Sequence, residues 1–342
     1  MHLLQRPLEL KNITLPTRAV RAATELFCST PDAHARAGEI AVYGELADQG
    51  LGLIISANTC VSPNGRSNDY QTAIWSDEYL EESAEIAKGA QAAGTPIVMQ
   101  LGHGGPRGEG HNGGLPVWTP DNMTRDEIRT LVRDFAAGAY RAKQAGFSGV
   151  ELHAAHTFLL SQFFYPEYNH RSDAYGGNAE KRFRVIREVF EEIKTLCGDD
   201  FPVIMKINGN DAENSQAYHR DLVQALQISQ DMGMDAVEIS GMAAIQNGRG
   251  KGPYFIEIIR ALHQECDIPL ISVGGVRTPE DVENLFEAGA SAISFSRPII
   301  QDPSFVKKLI QGESSGCVGC RRCFTPIEDD SDPRKRCPMR KW

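Results

Sequence analysis

The chain reads as an α/β protein, a (β/α)8 TIM barrel with a short Cys-rich C-terminal tail, and three observations predict it. Short apolar runs recur from about residue 16 to residue 310, each followed by a loop and an amphipathic segment. The runs are near-continuous in Val and Ile rather than alternating, as parallel strands buried on both faces read. No strand is followed by a GxGxxG turn, so the main competitor, a doubly wound sheet, lacks its signature. Alternating β and α units, eight times over, close most simply into a barrel.

The strands are expected at "RAVRAATE" (18–25), "LGLIISANT" (51–59), "PIVMQLGH" (96–103), "GVELHAAH" (149–156), "PVIMKING" (202–209), "AVEISG" (236–241), "PLISVGG" (269–275) and "AISFSRP" (292–298). Three of the intervening segments carry clear helix punctuation. Residues 76–94 open with Ser76 as N-cap, place acids in the first turn and end at Gly94. Residues 124–146 open with Thr124 and Glu127 in capping-box spacing. Residues 278–289 place Pro279 at the first helical position and Gly289 at the exit. The barrel is assigned to residues 1–312 and the tail to residues 313–342.

Composition narrows the class. Among 342 residues, 41% are hydrophobic and 23% charged, which is ordinary for a globular protein with ample core. A net charge of −10 argues against general nucleic-acid binding, which needs a positive surface. No apolar run is long enough to span a bilayer, and "MHLLQRPLEL" lacks the layout of a signal peptide, so a cytoplasmic location is expected. Cys28, Cys60, Cys197 and Cys266 are scattered and read as free buried thiols, whereas the other four cysteines crowd the tail.

In such a barrel the active site forms where the strands end, so polar residues closing the apolar runs become candidates. Lys206 lies within an apolar strand, where an ammonium group is costly to bury. It reads as a stem-packed surface lysine, as the lone fixed cation beside a cofactor, or as a Schiff-base lysine. "VGG" (273–275) and "SRP" (296–298) close the seventh and eighth strands, the usual phosphate site of this architecture. Gln100 ends the third strand with both donor and acceptor, as the edge of a flat heterocycle requires. His153 and His156 are core imidazoles, metal ligands or groups that hold a substrate.

"QLGHGG", "GVELHAAHTFLLSQFFYPEYNHRSDAYGGNAEKRFR", "SVGGV" and "SRP" together resemble the old yellow enzyme family. These are FMN-dependent NAD(P)H:flavin oxidoreductases, and the likeness is nearest to the 2,4-dienoyl-CoA reductase and trimethylamine dehydrogenase branches. It covers roughly residues 5–312 and is most specific between Gly149 and Arg184. The resemblance implies FMN over the barrel mouth, with NAD(P)H as reductant. Its phosphate would lie near Gly275, Ser296 and Arg297, and Gln100 would bond the pyrimidine edge. Ala23, Thr24 and Ala57 would add backbone or packing contacts, and Lys206 would face the anionic reduced flavin. His153 and His156 would hold a substrate oxygen while hydride attacks a conjugated double bond, with Phe27 and Phe158 beside the substrate.

Two departures from the family pattern bear on function. Phe158 stands where many relatives have a proton-donating Tyr, and Glu25 stands in the first loop where many have Pro-Met-Cys or Pro-Met-Thr. A carboxylate there disfavours an electron-rich flavin unless it is paired or protonated. The proton then comes from water, Tyr165, Tyr168 or Glu25. Alkene reduction is the leading reading. The alternatives are an amine dehydrogenase or demethylase, and a flavoprotein that only relays electrons.

The tail reads Cys317-x2-Cys320-x2-Cys323-x13-Cys337, a metal-thiolate spacing suited to [4Fe–4S] or Zn. The dienoyl-CoA branch carries a cluster after the barrel, but this chain is one residue tighter in the second gap and two longer in the third. The basic residues Arg321, Arg322, Arg334, Lys335 and Arg336 suit an acidic redox protein partner. A homo-oligomer is expected from the resemblance.

Overall fold

The computed structural model describes residues 2–340 apart from 212, 214, 242–251 and 330. A two-residue antiparallel pair, β1 (Leu8–Glu9) and β2 (Thr14–Leu15), precedes the barrel. The barrel strands are β3 (Ala19–Arg21), β4 (Leu53–Cys60), β5 (Ile97–Gly102), β6 (Gly149–Ala154), β7 (Val203–Asn208), β8 (Ala236–Ser240), β9 (Leu270–Val273) and β10 (Ala292–Phe295). They pair in parallel and close in the order β10-β3-β4-β5-β6-β7-β8-β9. All eight expected runs therefore form strands, although the first is only three residues long.

The expected helix signals hold with one exception. Thr124 and Glu127 form a reciprocal capping box on the helix Arg125–Gln144. Thr278 caps Pro279–Glu287 in the same way, accepting from the Asp281 amide. Ser76, in contrast, caps nothing with its side chain. Its hydroxyl donates to Glu78 Oε1 at 2.5 Å, and a short 3-10 turn precedes the helix Leu80–Ala90. A nearer carboxylate out-competed the backbone amides for that hydroxyl.

Inside the barrel the side chains stack in layers. Val20, Leu53, Ile55, Val98, Ile204, Ala236, Ile271 and Ala292 form an apolar floor, closed beneath by Leu10 and Leu15 from the N-terminal segment. Because alternate strand residues share a face, the positions two further along point inward above that floor. Those positions are Gln100, Lys206, Glu238, Val273, Ser294 and Ala22. The polarity of the interior thus changes within one layer.

Candidate active site

Above the floor lies a cavity of about 510 Å³, within the size range of cofactor sites. Ala23, Thr24, Glu25, Phe27, Gln100, His153, His156, Phe158, Lys206, Gly275, Ser296 and Arg297 all line it, as their strand-end positions require. Ala57 does not. Its N–H donates to the Tyr43 hydroxyl at 2.8 Å, and its carbonyl accepts from Ser56 and Thr59, so its backbone is satisfied behind the strand.

The end of β6 forms one wall. His153 and His156 stand edge to face with ring centroids 5.2 Å apart, and Phe158 stacks on His153 at 4.1 Å. The Ala155 N–H donates to His153 Nδ1 at 3.4 Å, which leaves its proton on Nε2. His156 Nε2 lies 2.8 Å from Ser240 Oγ, while its backbone N–H donates to Asn208 Oδ1. Burial, then the nearby charges of Lys206 and Arg107, pushes His156 down to about 3. The same causes, with His156 itself, push His153 well below the usual imidazole range. Both rings are neutral at working pH, so each carries a single N–H.

Lys206 forms part of the cavity floor, and it is not a lone cation. Its Nζ contacts Glu238 Oε2 and lies 3.4 Å from Glu151 Oε2, with both carboxylates fully buried. Glu151 Oε2 also accepts from Gln100 Nε2 at 2.5 Å. Burial works against the Lys206 charge, but the two carboxylates outweigh it and raise its pKa. Burial raises Glu151 to about 8, against the pull of Lys206 and with the push of Glu238. Strand register explains the cluster: Lys206 pairs with Glu238 across β7 and β8, and Gln100 pairs with Glu151 across β5 and β6. The sequence signal was present but not used. A Glu inside "GVELH" and another inside "AVEIS" each sit two residues before an inward-facing site residue.

Opposite β6 in the ring, β9 and β10 end in Gly274, Gly275, Ser296 and Arg297, with Arg277 beside them. Gly275 holds φ +85°, and a Cβ there would lie 2.0 Å from the Gly252 carbonyl oxygen. Only glycine fits. Two side chains lining the cavity carry buried polar atoms without partners among the described residues: both amide atoms of Asn58, and the Ser294 hydroxyl. Unsatisfied groups at a cavity wall suit the polar edge of a bound heterocycle.

Glu25 borders the same cavity. Burial, reinforced by Glu39, raises its carboxyl to about 8, and Oε1 accepts from the Phe27 N–H at 3.3 Å. Tyr165 and Tyr168 do not line the cavity, and the Tyr165 hydroxyl is committed to the Asn210 carbonyl at 2.6 Å.

Beyond Phe158, the segment 169–175 is held by structural bonds. Arg171 forms a fork with Asp173 and donates to the Pro120 and Met123 carbonyls at 2.6 Å. Asn169 clamps the Phe163 and Tyr175 carbonyls. These bonds lock the loop that carries the histidine wall without reaching the cavity.

The tail returns to the mouth. The Ile327 N–H donates to the Phe27 carbonyl at 2.9 Å, Phe324 packs edge-on against Phe27, and Arg321 and Phe324 line the cavity. Burial pushes the Cys323 thiol up, as does Cys317, and Cys337 is raised by burial and by Cys317 and Cys320. The four thiols therefore gather in one region. Among the described residues, however, no three His, Cys, Asp or Glu side chains are arranged as a metal ligand set. The tail geometry does not fit a preformed iron–sulfur or zinc site. No helix among the described residues is long and apolar enough to cross a membrane.

A parallel barrel with a phosphate-type glycine–arginine rim on one side and neutral imidazoles on the other defines a class, the flavin oxidoreductase barrels. Residues 3–315 match the NADH:flavin oxidoreductase / NADH oxidase family. An NADPH dehydrogenase from Clostridium acetobutylicum is 29% identical over 312 residues, 87% of this chain and 91% of that protein. The structure of the old yellow enzyme homologue from Zymomonas mobilis is 26% identical with a TM-score of 0.78, covering 90% of this chain and 92% of that one. Morphinone reductase in complex with tetrahydroNAD is 26% identical with a TM-score of 0.74, covering 90% of each chain. The chain belongs to the NADH:flavin oxidoreductase family and is an FMN-dependent NAD(P)H oxidoreductase of old yellow enzyme type.

Proposed function

We propose that the protein reduces electron-poor alkenes conjugated to a carbonyl or carboxyl group. The observation that carries this reading is the pair of neutral imidazoles, His153 and His156, on the wall of the cavity. FMN, when bound, supplies a hydride equivalent taken from NAD(P)H. Gly275, Ser296 and Arg297 would hold its phosphate, and Gln100 and Asn58 the polar edge of its ring, with Thr24 and Ala23 alongside. The His153 and His156 N–H groups donate to the substrate oxygen and draw electron density from the double bond. Glu25, protonated at neutral pH, gives the proton that Phe158 lacks the hydroxyl to give. One hydride and one proton thus add across the alkene, and the carboxylate left at Glu25 regains its proton from solvent.

An ammonium-bearing amine suits this wall less, because Arg107 already places a positive charge beside it. The tail cysteines enter only as a spacing, and iron and zinc analysis of the purified protein tests them. The main experiment is anaerobic. Protein bleached by NAD(P)H should recover its yellow colour on adding 2-cyclohexenone, and His153→Ala should slow that recovery without slowing the bleaching. Recovery at an equal rate in His153→Ala, or bleaching only by an amine, overturns the reading.

A further inference from the structure

Arg107 falls outside every motif discussed above, and its surroundings set it apart from the other cations of the cavity. It follows "QLGHGG" on a one-turn 3-10 segment, Gly105–Gly108, and lines the cavity together with His153, His156 and Phe158. Its Nη1 donates to the His156 carbonyl at 3.1 Å and to Thr157 Oγ1 at 3.3 Å. Its guanidinium centre lies 5.2 Å from the centroid of the Phe158 ring. No carboxylate is paired with it among the described residues, and burial lowers its pKa with no acidic neighbour holding it up. Nε and Nη2 have no partner among the described residues. Arg107 is exposed at the cavity, so the free edge of its fork is open to an incoming acceptor.

We propose that Arg107 receives an anionic oxygen group of the substrate, so that the preferred substrate is an alkene bearing a carboxylate. This deepens the alkene-reduction reading and rests on its assignment of the histidines. A conjugated carboxylate is a poor hydride acceptor because its negative charge feeds the double bond. Pairing with a guanidinium and two imidazole N–H groups offsets that charge where the hydride must arrive. The fork is preoriented for the task. Two bonds through Nη1 fix one arm, and the Phe158 ring lies beneath the guanidinium. Phe158 therefore has a use of its own at a position where a hydroxyl is absent. The same two bonds hold His156 and Thr157, whose φ values of 59° and 61° lie in the left-handed region that non-glycine residues avoid. Arg107 is thus also a positioning residue for the histidine wall.

The test uses benzoate and benzamide, a planar anion and its neutral isostere, neither of them reducible here. Each is titrated into the FMN-loaded full-length protein, with binding read by calorimetry and by the shift of the flavin bands. Wild type should bind benzoate about 10–100-fold more tightly than benzamide, the size of a charge-assisted hydrogen bond. In Arg107→Gln that ratio should fall close to one. Arg107→Lys, which keeps the charge but not the fork, should retain a reduced preference, and it decides the matter if Arg107→Gln disturbs the turn. An unchanged ratio in Arg107→Gln, no preference in wild type, or none in Arg107→Lys overturns the proposal. Protein that reduces 2-cyclohexenone yet shows no anion preference sinks this inference alone. Protein that binds benzoate through Arg107 but reduces no alkene sinks the alkene reading and leaves the anion site standing.

Discussion

The floor and the histidine wall of the cavity each hold one cation, buried on the floor and exposed at the wall, and the protein treats the two in opposite ways. On the floor, Lys206 is enclosed by Glu151 and Glu238, and Gln100 bonds one of those carboxylates. The charges answer one another within the protein, so the floor is complete before any ligand arrives. On the wall, Arg107 has carbonyl, hydroxyl and aromatic partners but, among the described residues, no carboxylate, and the two imidazoles beside it are neutral. The wall is left incomplete. A compensated charge stabilises a shape, whereas an uncompensated one selects a partner.

The largest expected effect breaks the floor. Lys206→Met leaves Glu151 and Glu238 buried against each other without their cation, and removing one partner from a buried ion network costs about 3–5 kcal/mol. Urea unfolding should show that loss. Combining the change with Glu151→Gln and Glu238→Gln should restore most of it, because no charge is then left buried. If the single and triple variants unfold alike, the floor is not a charge-compensated unit.

Next comes the wall. Replacing both His153 and His156 by Ala should lower the rate of alkene reduction by about 10²–10³-fold, the scale of losing donors to a developing oxyanion. Stability should change far less than in Lys206→Met. Rapid-mixing rates of flavin reoxidation, set beside unfolding midpoints, separate the two regions. Equal damage to both measurements would erase the distinction.

A smaller effect concerns Glu25, which must hold a proton to give one. Its carboxyl is raised to about 8, so donation should be intact at pH 7 and fall away as pH rises through 8. Glu25→Gln should slow reoxidation by on the order of 10²-fold at pH 7 and remove that alkaline limb. The linkage sign follows: a carboxyl raised in the fold adds stability below pH 4.5, and that contribution is gone above about 8. The smallest change is Phe158→Tyr, which places a hydroxyl on the wall. In the Glu25→Gln background it should recover part of the lost rate, and a pH profile identical to that of Glu25→Gln alone would deny Phe158's position any route to the substrate.

The barrel could be read from the chain because its evidence is local. Val- and Ile-rich runs, Thr124 with Glu127, and Pro279 with Gly289 each act within a few residues. The strand ends then pointed to Gln100, His153, His156 and Lys206 with no structure in hand. Ala57, expected from the resemblance alone, does not line the cavity because its backbone is already bonded to Tyr43, Ser56 and Thr59. Ser76 failed because a side chain two residues away competed for its hydroxyl.

Sequence alone determined the periodicity, the caps and the chemistry offered at each strand end. Tertiary structure decided which charges meet. Glu151, Lys206 and Glu238 come from three strands, and only their shared register brings a carboxylate to either side of the ammonium group. Arg107 reaches the histidines from a different loop, across some fifty positions of sequence. Hydrophobic patterning is a property of neighbours along the chain, whereas Coulomb energy depends on distance and burial, and only the closed barrel sets those.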